Sequence, residues 1–190
     1  MATIITHVAV PLVLRMGIGK AKVSTQLLIV ACFAAVLPDA DVIAFKLGIP
    51  YASSFGHRGF SHSLLAAALV GILASICYKP LKSDPKWAFF IVSLSMASHG
   101  VLDSFTNGGL GIAFLWPESN HRYFLPWRPI EVSPIGIKNF FTARGLQVIL
   151  SEIVWVWFPC LTIGVFSSLL RKTLKRRREN NVSFNVSHRL

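Results

Sequence analysis

Eight ionisable residues lie inside or directly beside apolar stretches of this chain: His7, Asp39, Asp41, His57, His62, His99, Asp103 and Glu152. Such groups are costly in apolar surroundings, so their presence points to function. Imidazole and carboxylate donors together suit Zn²⁺, with Mn²⁺ or Fe²⁺ as alternatives. In His99-Gly100-Val101-Leu102-Asp103 the two donors are four residues apart, which on a helix stacks them on one face. Pro38-Asp39-Ala40-Asp41 offers two carboxylates, and the segment from Gly56 to Ser63 offers His57, Arg58 and His62. Taken singly, each piece has a structural reading. His99 and Asp103 could share a buried hydrogen bond, Asp39 and Asp41 could be a solvated helix end, His57 and His62 could be interfacial, and Ser61 could N-cap the next helix.

The elements that must position these residues follow from composition. Of 190 residues, 53% are hydrophobic and only 14% charged, a balance foreign to ordinary soluble domains. The net charge of +11 sits in short clusters between apolar runs. That fits the positive-inside bias of a membrane protein better than a basic nucleic-acid face, so no nucleic-acid partner is expected. Spanning helices of roughly 20 apolar residues are expected at residues 63–78, 87–106 and 146–170. Residues 24–37 form a shorter run that gains length only by continuing past Pro38, and residues 3–16 a shorter one still. The expectation is an all-α, polytopic membrane bundle of about five helices, with a long loop between the fourth and fifth. Residues 1–170 form one domain and residues 171–190 a basic, disordered cytoplasmic tail. In the long loop, Trp116, Pro117, Tyr123, Phe124, Trp127 and Arg128 suit a lid at headgroup level. Cys32, Cys77 and Cys160 lack the close pairing of a zinc knot or redox motif, and no cleaved signal peptide is expected.

Orientation follows from Lys and Arg. With the N-terminus outside, Arg15, Lys20, Lys22, Lys79, Lys82, Lys86, Arg171, Lys172, Lys175, Arg176, Arg177, Arg178 and Arg189 fall inside; Lys46, Arg58, Arg122, Arg128, Lys138 and Arg144 fall outside. The chain is thus expected in a bacterial inner membrane, multi-pass, with a cytoplasmic C-terminus. The same assignment brings seven of the eight ionisable groups to the periplasmic face. Four independent structural explanations would have to place them at one depth by chance. Glu152 is expected to pair with Arg144 or reach the site; His121 and His188 are read as loop and tail residues, and the Arg171 to Arg178 run as a topology anchor touching anionic lipid.

Thr6-His7, Pro38-Asp39-Ala40-Asp41, His57-Arg58-Gly59-Phe60-Ser61-His62-Ser63 and Ser98-His99-Gly100-Val101-Leu102-Asp103 with Thr106, in this order, resemble the YdjM-like family of LexA-regulated, membrane-bound metal-dependent hydrolases. Trp116-Pro117 and Pro126-Trp127-Arg128 resemble its long loop. The resemblance covers roughly residues 1–131, and the His57 to Ser63 block is its most specific part. It implies a membrane location, a metal and a hydrolase. A fainter similarity is to zinc-dependent phospholipase C, whose His-x-x-x-Asp pair is matched by His99 and Asp103, although a second such pair is missing. It suggests a phosphoester, and a membrane lipid as substrate. On this reading His7, Asp39, His57, His62, His99 and Asp103 hold one or two divalent ions. Asp41 is a further ligand or the general base, and Arg58 neutralises an anionic substrate oxygen. The rivals are a non-enzymatic scaffold with a structural metal and a small transporter, which would more often show two related halves.

Overall fold

A computed structural model of the chain describes residues 1–134 and 140–187, with side chains described to residue 180. Lys138 and Arg189, both counted in the charge balance, and His188 lie outside the described residues. The described residues are all-helical, with five principal helices. Helix α1 spans Ile4–Ile18, interrupted at Val8, and α2 spans Thr25–Lys46. Leu64–Ile76 forms α3 and Pro85–Ser104 forms α4. The last, α5, runs from Ala143–Glu152 through a π turn at Ile153–Trp157 into Phe158–Ser187. Among the described residues there is no β-strand beyond two isolated bridges, Thr106 with Ile130 and Ile112 with Tyr123.

Local chemistry sets where the helices begin. Ser24, Ser63 and Asp84 each accept a backbone N–H three residues on, from Leu27, Ala66 and Trp87, and Pro85 follows Asp84 where its missing N–H costs nothing. Ser63, not Ser61, is therefore the cap of α3. Within α2, Pro38 cannot donate to the preceding turn, and the backbone tightens to a 3₁₀ stretch over Leu37–Val42 before the α-helix resumes at Ile43–Lys46. This continuation past Pro38 gives α2 its full 22 residues.

Among the described residues two helices, α2 and α5, are long and apolar enough to cross a membrane. This differs from the spans expected at residues 63–78 and 87–106. With 13 residues, α3 is about 20 Å long against a hydrocarbon core of about 30 Å. The 20-residue α4 is long enough, but Ser95, Ser98, His99, Asp103 and Ser104 on its buried side dilute its apolar character. The bundle is apolar on its exterior as well as in its core. Its α2–α3–α4 core is lined by small residues such as Ala31, Ala34, Ala66, Ala67 and Ala88, while Phe33, Ile76, Phe90, Phe158 and Phe166 are more than half exposed. Small residues let helices approach where lipid removes the hydrophobic driving force, and an apolar exterior suits acyl chains.

The seam between α1 and α5 is equally close: Gly17 faces Ser167 and Gly164 faces Met16. At one end, Ser24 Oγ donates to the Leu81 carbonyl, Ser83 Oγ to that of Lys22, and Lys22 lies over Trp87. Arg171 lies over Gly19 at this same end. The turns 19–24 and 77–84 and the start of the basic run thus share one end. The run itself continues α5 rather than forming a structureless tail; Lys, Arg and Glu are good helix formers and extend a helix already nucleated by the apolar segment. At the other end, residues 47–63 and 105–134 fold over α2 and α4. Leu64 N–H donates to the Phe114 carbonyl, Ala113 N–H to that of Arg58, and Asn107 N–H to that of Ile130.

Candidate metal centre

Four elements deliver donors to one point. His7 ends the first turn of α1, Asp39 sits on the 3₁₀ stretch of α2, His62 on a single 3₁₀ turn before α3, and His99 and Asp103 on successive turns of α4. All five are at least 95% buried. Asp39, His62, His99 and Asp103 each present one ligand atom such that all lie within 4.8 Å of one another. His99 Nε2 is 3.2 Å from Asp39 Oδ1 and 3.9 Å from Asp103 Oδ2. His62 Nε2 is 3.9 Å and 3.8 Å from oxygens of the same two carboxylates. His7 stacks on His99 with ring centroids 3.6 Å apart, and its Nε2 lies 3.7 Å from Asp103 Oδ1 and 4.0 Å from Asp39 Oδ2.

The fit of a cation follows from the hydrogen bonds these side chains lack. Both ring nitrogens of His7, both oxygens of Asp39, His62 Nε2, His99 Nε2 and Asp103 Oδ2 are buried and make no hydrogen bond among the described residues. Buried polar atoms left in this state cost about 1–3 kcal/mol each, more when charged. A divalent ion among the converging atoms of Asp39, His62, His99 and Asp103 would satisfy those four side chains together. The imidazoles are already oriented for it. His99 Nδ1 lies 2.7 Å from the Ala35 carbonyl, so it carries the proton and leaves the Nε2 lone pair facing inward.

His62 is turned the same way by Asp41, whose Oδ2 is 3.2 Å from Nδ1. Asp41 has every other position taken: Oδ1 meets His57 Nδ1 at 2.5 Å, and Oδ2 accepts from Arg58 N–H at 3.1 Å and Ser61 Oγ at 2.6 Å. Asp41, His57 and His62 also form a second group of metal-ligand type. His57 thus stands beside Asp41 rather than in the central group. Tyr51 stacks on His57, with ring centroids 5.2 Å apart, and burial raises the pKa of its phenol above the ordinary range. The edge of the cluster nearest solvent is Asp41, whose side chain is 10% exposed.

Arg58 is held in a manner sequence reasoning did not foresee. It is fully buried, at a positive φ of 65°. Its Nε is 3.2 Å from Asp103 Oδ2, Nη1 donates to the Gly108 carbonyl at 2.8 Å and Nη2 to Thr106 Oγ1 at 3.0 Å. The first contact is an ion pair whose angle is not that of an aligned hydrogen bond. Asp103 Oδ1 accepts from Ala2 N–H at 2.7 Å. Arg58 therefore braces Asp103 from behind and is itself fully buried.

Sequence reasoning also missed Arg122, whose guanidinium donates to the carbonyls of Tyr51, Ser53 and His57 and so ties the long loop to the His57 segment. An Arg in a Pro- and aromatic-rich loop carries no spacing signal for such a role. Glu152 pairs with neither Arg144 nor the site. It accepts from Thr3 N–H and from the hydroxyls of Thr3 and Thr6, while Arg144 pairs with Glu131 at 2.6 Å. A hydrogen bond from Asn107 and the Arg144 charge lower the pKa of Glu131. His121 is exposed, packed against Tyr123 and apart from the cluster.

Comparison with known proteins places the chain in a family. A family profile described as YdjM inner membrane protein matches residues 1–174, which include every residue of the cluster and the whole apolar part of α5. The Inner membrane protein YbcI of Escherichia coli (strain K12) is 43% identical over 160 residues, covering 84% of this chain and 92% of that protein. No solved structure matches. The chain, with its buried His/Asp cluster between apolar helices, belongs to the YdjM family of inner membrane proteins.

Proposed function

We propose that this protein is a multi-pass inner-membrane hydrolase. In this reading it binds one or two divalent ions, Zn²⁺ first and Mn²⁺ or Fe²⁺ as alternatives, and acts on a phospholipid or other lipid-linked phosphoester from the periplasmic side. The observation that carries it is the set of buried donors without partners on His7, Asp39, His62, His99 and Asp103. Three carboxylates, Asp39, Asp41 and Asp103, against the Arg58 guanidinium and the N-terminal ammonium leave a net negative charge in a buried site, which a divalent cation compensates. Histidine and carboxylate donors without cysteine are the set used more by catalytic than by purely structural zinc sites. When bound, such an ion supplies Lewis acidity and lowers the pKa of a coordinated water toward neutrality.

The chain's own residues take distinct parts. Asp39, His62, His99 and Asp103 supply the principal ligands, with His7 adjoining. Arg58 is a positioning residue for Asp103, in place of the substrate-contact role expected from its charge. Asp41, at the solvent edge, orients His62 and His57. Substrate would approach there, under residues 47–63. The lipid-facing exterior and the aromatic loop support a substrate delivered from the bilayer.

A structural metal in a non-enzymatic scaffold is the second reading, favoured by the near-complete burial of the four central donors. One experiment separates the two. His62→Ala and Asp103→Ala should each lower bound metal in the purified protein. A screen of phosphoesters, carboxylic esters and amides should then show turnover with metal-loaded protein and none with a His99→Ala control. Metal binding without hydrolysis of any bond favours the scaffold, and full occupancy in both ligand variants rejects the site.

A further inference from the structure

We propose that the end of the bundle opposite the metal centre binds one anionic phospholipid between α1 and α5, its phosphate held by Arg15, Lys20, Arg171 and Lys172. A cavity of about 770 Å³ opens there, and these four basic side chains line it together with Leu12, Met16, Leu28 and Leu161 and no carboxylate. Among the described residues none of the four forms an ion pair with a carboxylate. Four uncompensated cations around one apolar groove repel one another, and an anion relieves them.

Two of the four are aimed by the fold. Arg15 Nη2 donates to Thr25 Oγ1 at 3.2 Å, which fixes the guanidinium between α1 and α2 and leaves Nη1 buried with no hydrogen-bond partner. Arg171 reaches back over Gly19, where a Cβ would stand 1.8 Å from its Nη1. Gly19 has φ +100°, so an L side chain would be strained there as well as in the way. The two planar forks match a phosphate oxygen pair, and the lysines add point charge.

The walls determine which anion. Leu12, Met16, Leu28 and Leu161 are an acyl-chain surface, and a free phosphate would leave them uncovered. A zwitterionic lipid brings an ammonium group toward four cations, whereas phosphatidylglycerol brings only hydroxyls. A neighbouring groove of about 810 Å³, across the α1–α5 seam, shares Arg171 and adds Lys22, Lys175 and Arg178. There Lys175 is already engaged by Glu179 at 3.6 Å, which makes the first groove the stronger site.

Delipidated protein in neutral detergent, titrated with phosphatidylglycerol, should show a saturable rise in Tm. The Arg15→Gln/Arg171→Gln double variant should bind about thirty-fold more weakly, as expected for two lost cationic contacts. Lys20→Gln/Lys172→Gln, at two exposed positions, should weaken binding as well and keeps the test valid if the first pair fails to fold. The proposal is overturned if phosphatidylcholine gives the same shift, if inorganic phosphate alone reproduces it, or if a folded double variant binds phosphatidylglycerol as tightly as the parent.

Discussion

At the scale of single residues, Arg58 carries the sharpest test of how the centre is built. Replacing it by Met keeps much of the side-chain volume but leaves Asp103 without its cationic partner, and breaking a buried pair in this way costs about 3–5 kcal/mol. Arg58→Met should therefore lower the thermal stability of the metal-free protein and weaken metal retention. Wild-type stability and metal content with only turnover reduced would instead return Arg58 to a substrate contact. The ligand types were legible in the sequence because a His and an Asp four apart on a helix must share a face, whatever surrounds them. The partners of Arg58 and Asp41 were not. Arg58 meets Asp103 and Asp41 meets His57 across separate helices and loops, and nothing in local spacing encodes those pairings.

At the scale of elements, Glu152 is the pin that joins α5 to the first turn of α1. It is 3% exposed and accepts three hydrogen bonds, from Thr3 N–H and the Thr3 and Thr6 hydroxyls; Thr6 Oγ1 in turn accepts from Trp157 Nε1 at 3.1 Å. Hydrogen bonds to a charged group are worth about 1.5–3 kcal/mol each, so Glu152→Ala should destabilise the bundle by several kcal/mol. Because Thr6 adjoins His7, it should also increase hydrogen exchange at residues 3–7; unchanged exchange there would mean that the first turn of α1 does not depend on Glu152. The resumption of α2 beyond Pro38 could be anticipated from the apolar residues that follow. The shortness of α3 could not, because Cys77 and Tyr78 are apolar enough to continue a helix, and the chain turns there to reach Asp84 and Pro85, where α4 begins.

At the scale of the whole molecule, the bundle has two chemically opposite ends, with the His/Asp centre at one and the basic turns at the other. Reading the latter as cytoplasmic predicts that a cysteine placed at the exposed Ala52, in the segment over the His/Asp cluster, will react with an impermeant maleimide in intact cells. Reaction only after permeabilisation would reverse the orientation and remove a periplasmic substrate. The charge balance alone anticipated that the donors gather at one end, since Lys and Arg counts depend on composition and not on packing. The helix that spans the two ends also contains the π turn at Ile153–Trp157, which holds one more residue than the α-helical register would. That extra residue sets the angular phase of everything beyond it. Deleting one residue there would turn Phe158–Ser187 by about 100° relative to Glu152, carrying Gly164 and Ser167 off α1 and swinging Arg171 away from Gly19. The pin beside the His/Asp cluster and the basic groove at the far end are thus kept in step by a single surplus peptide unit.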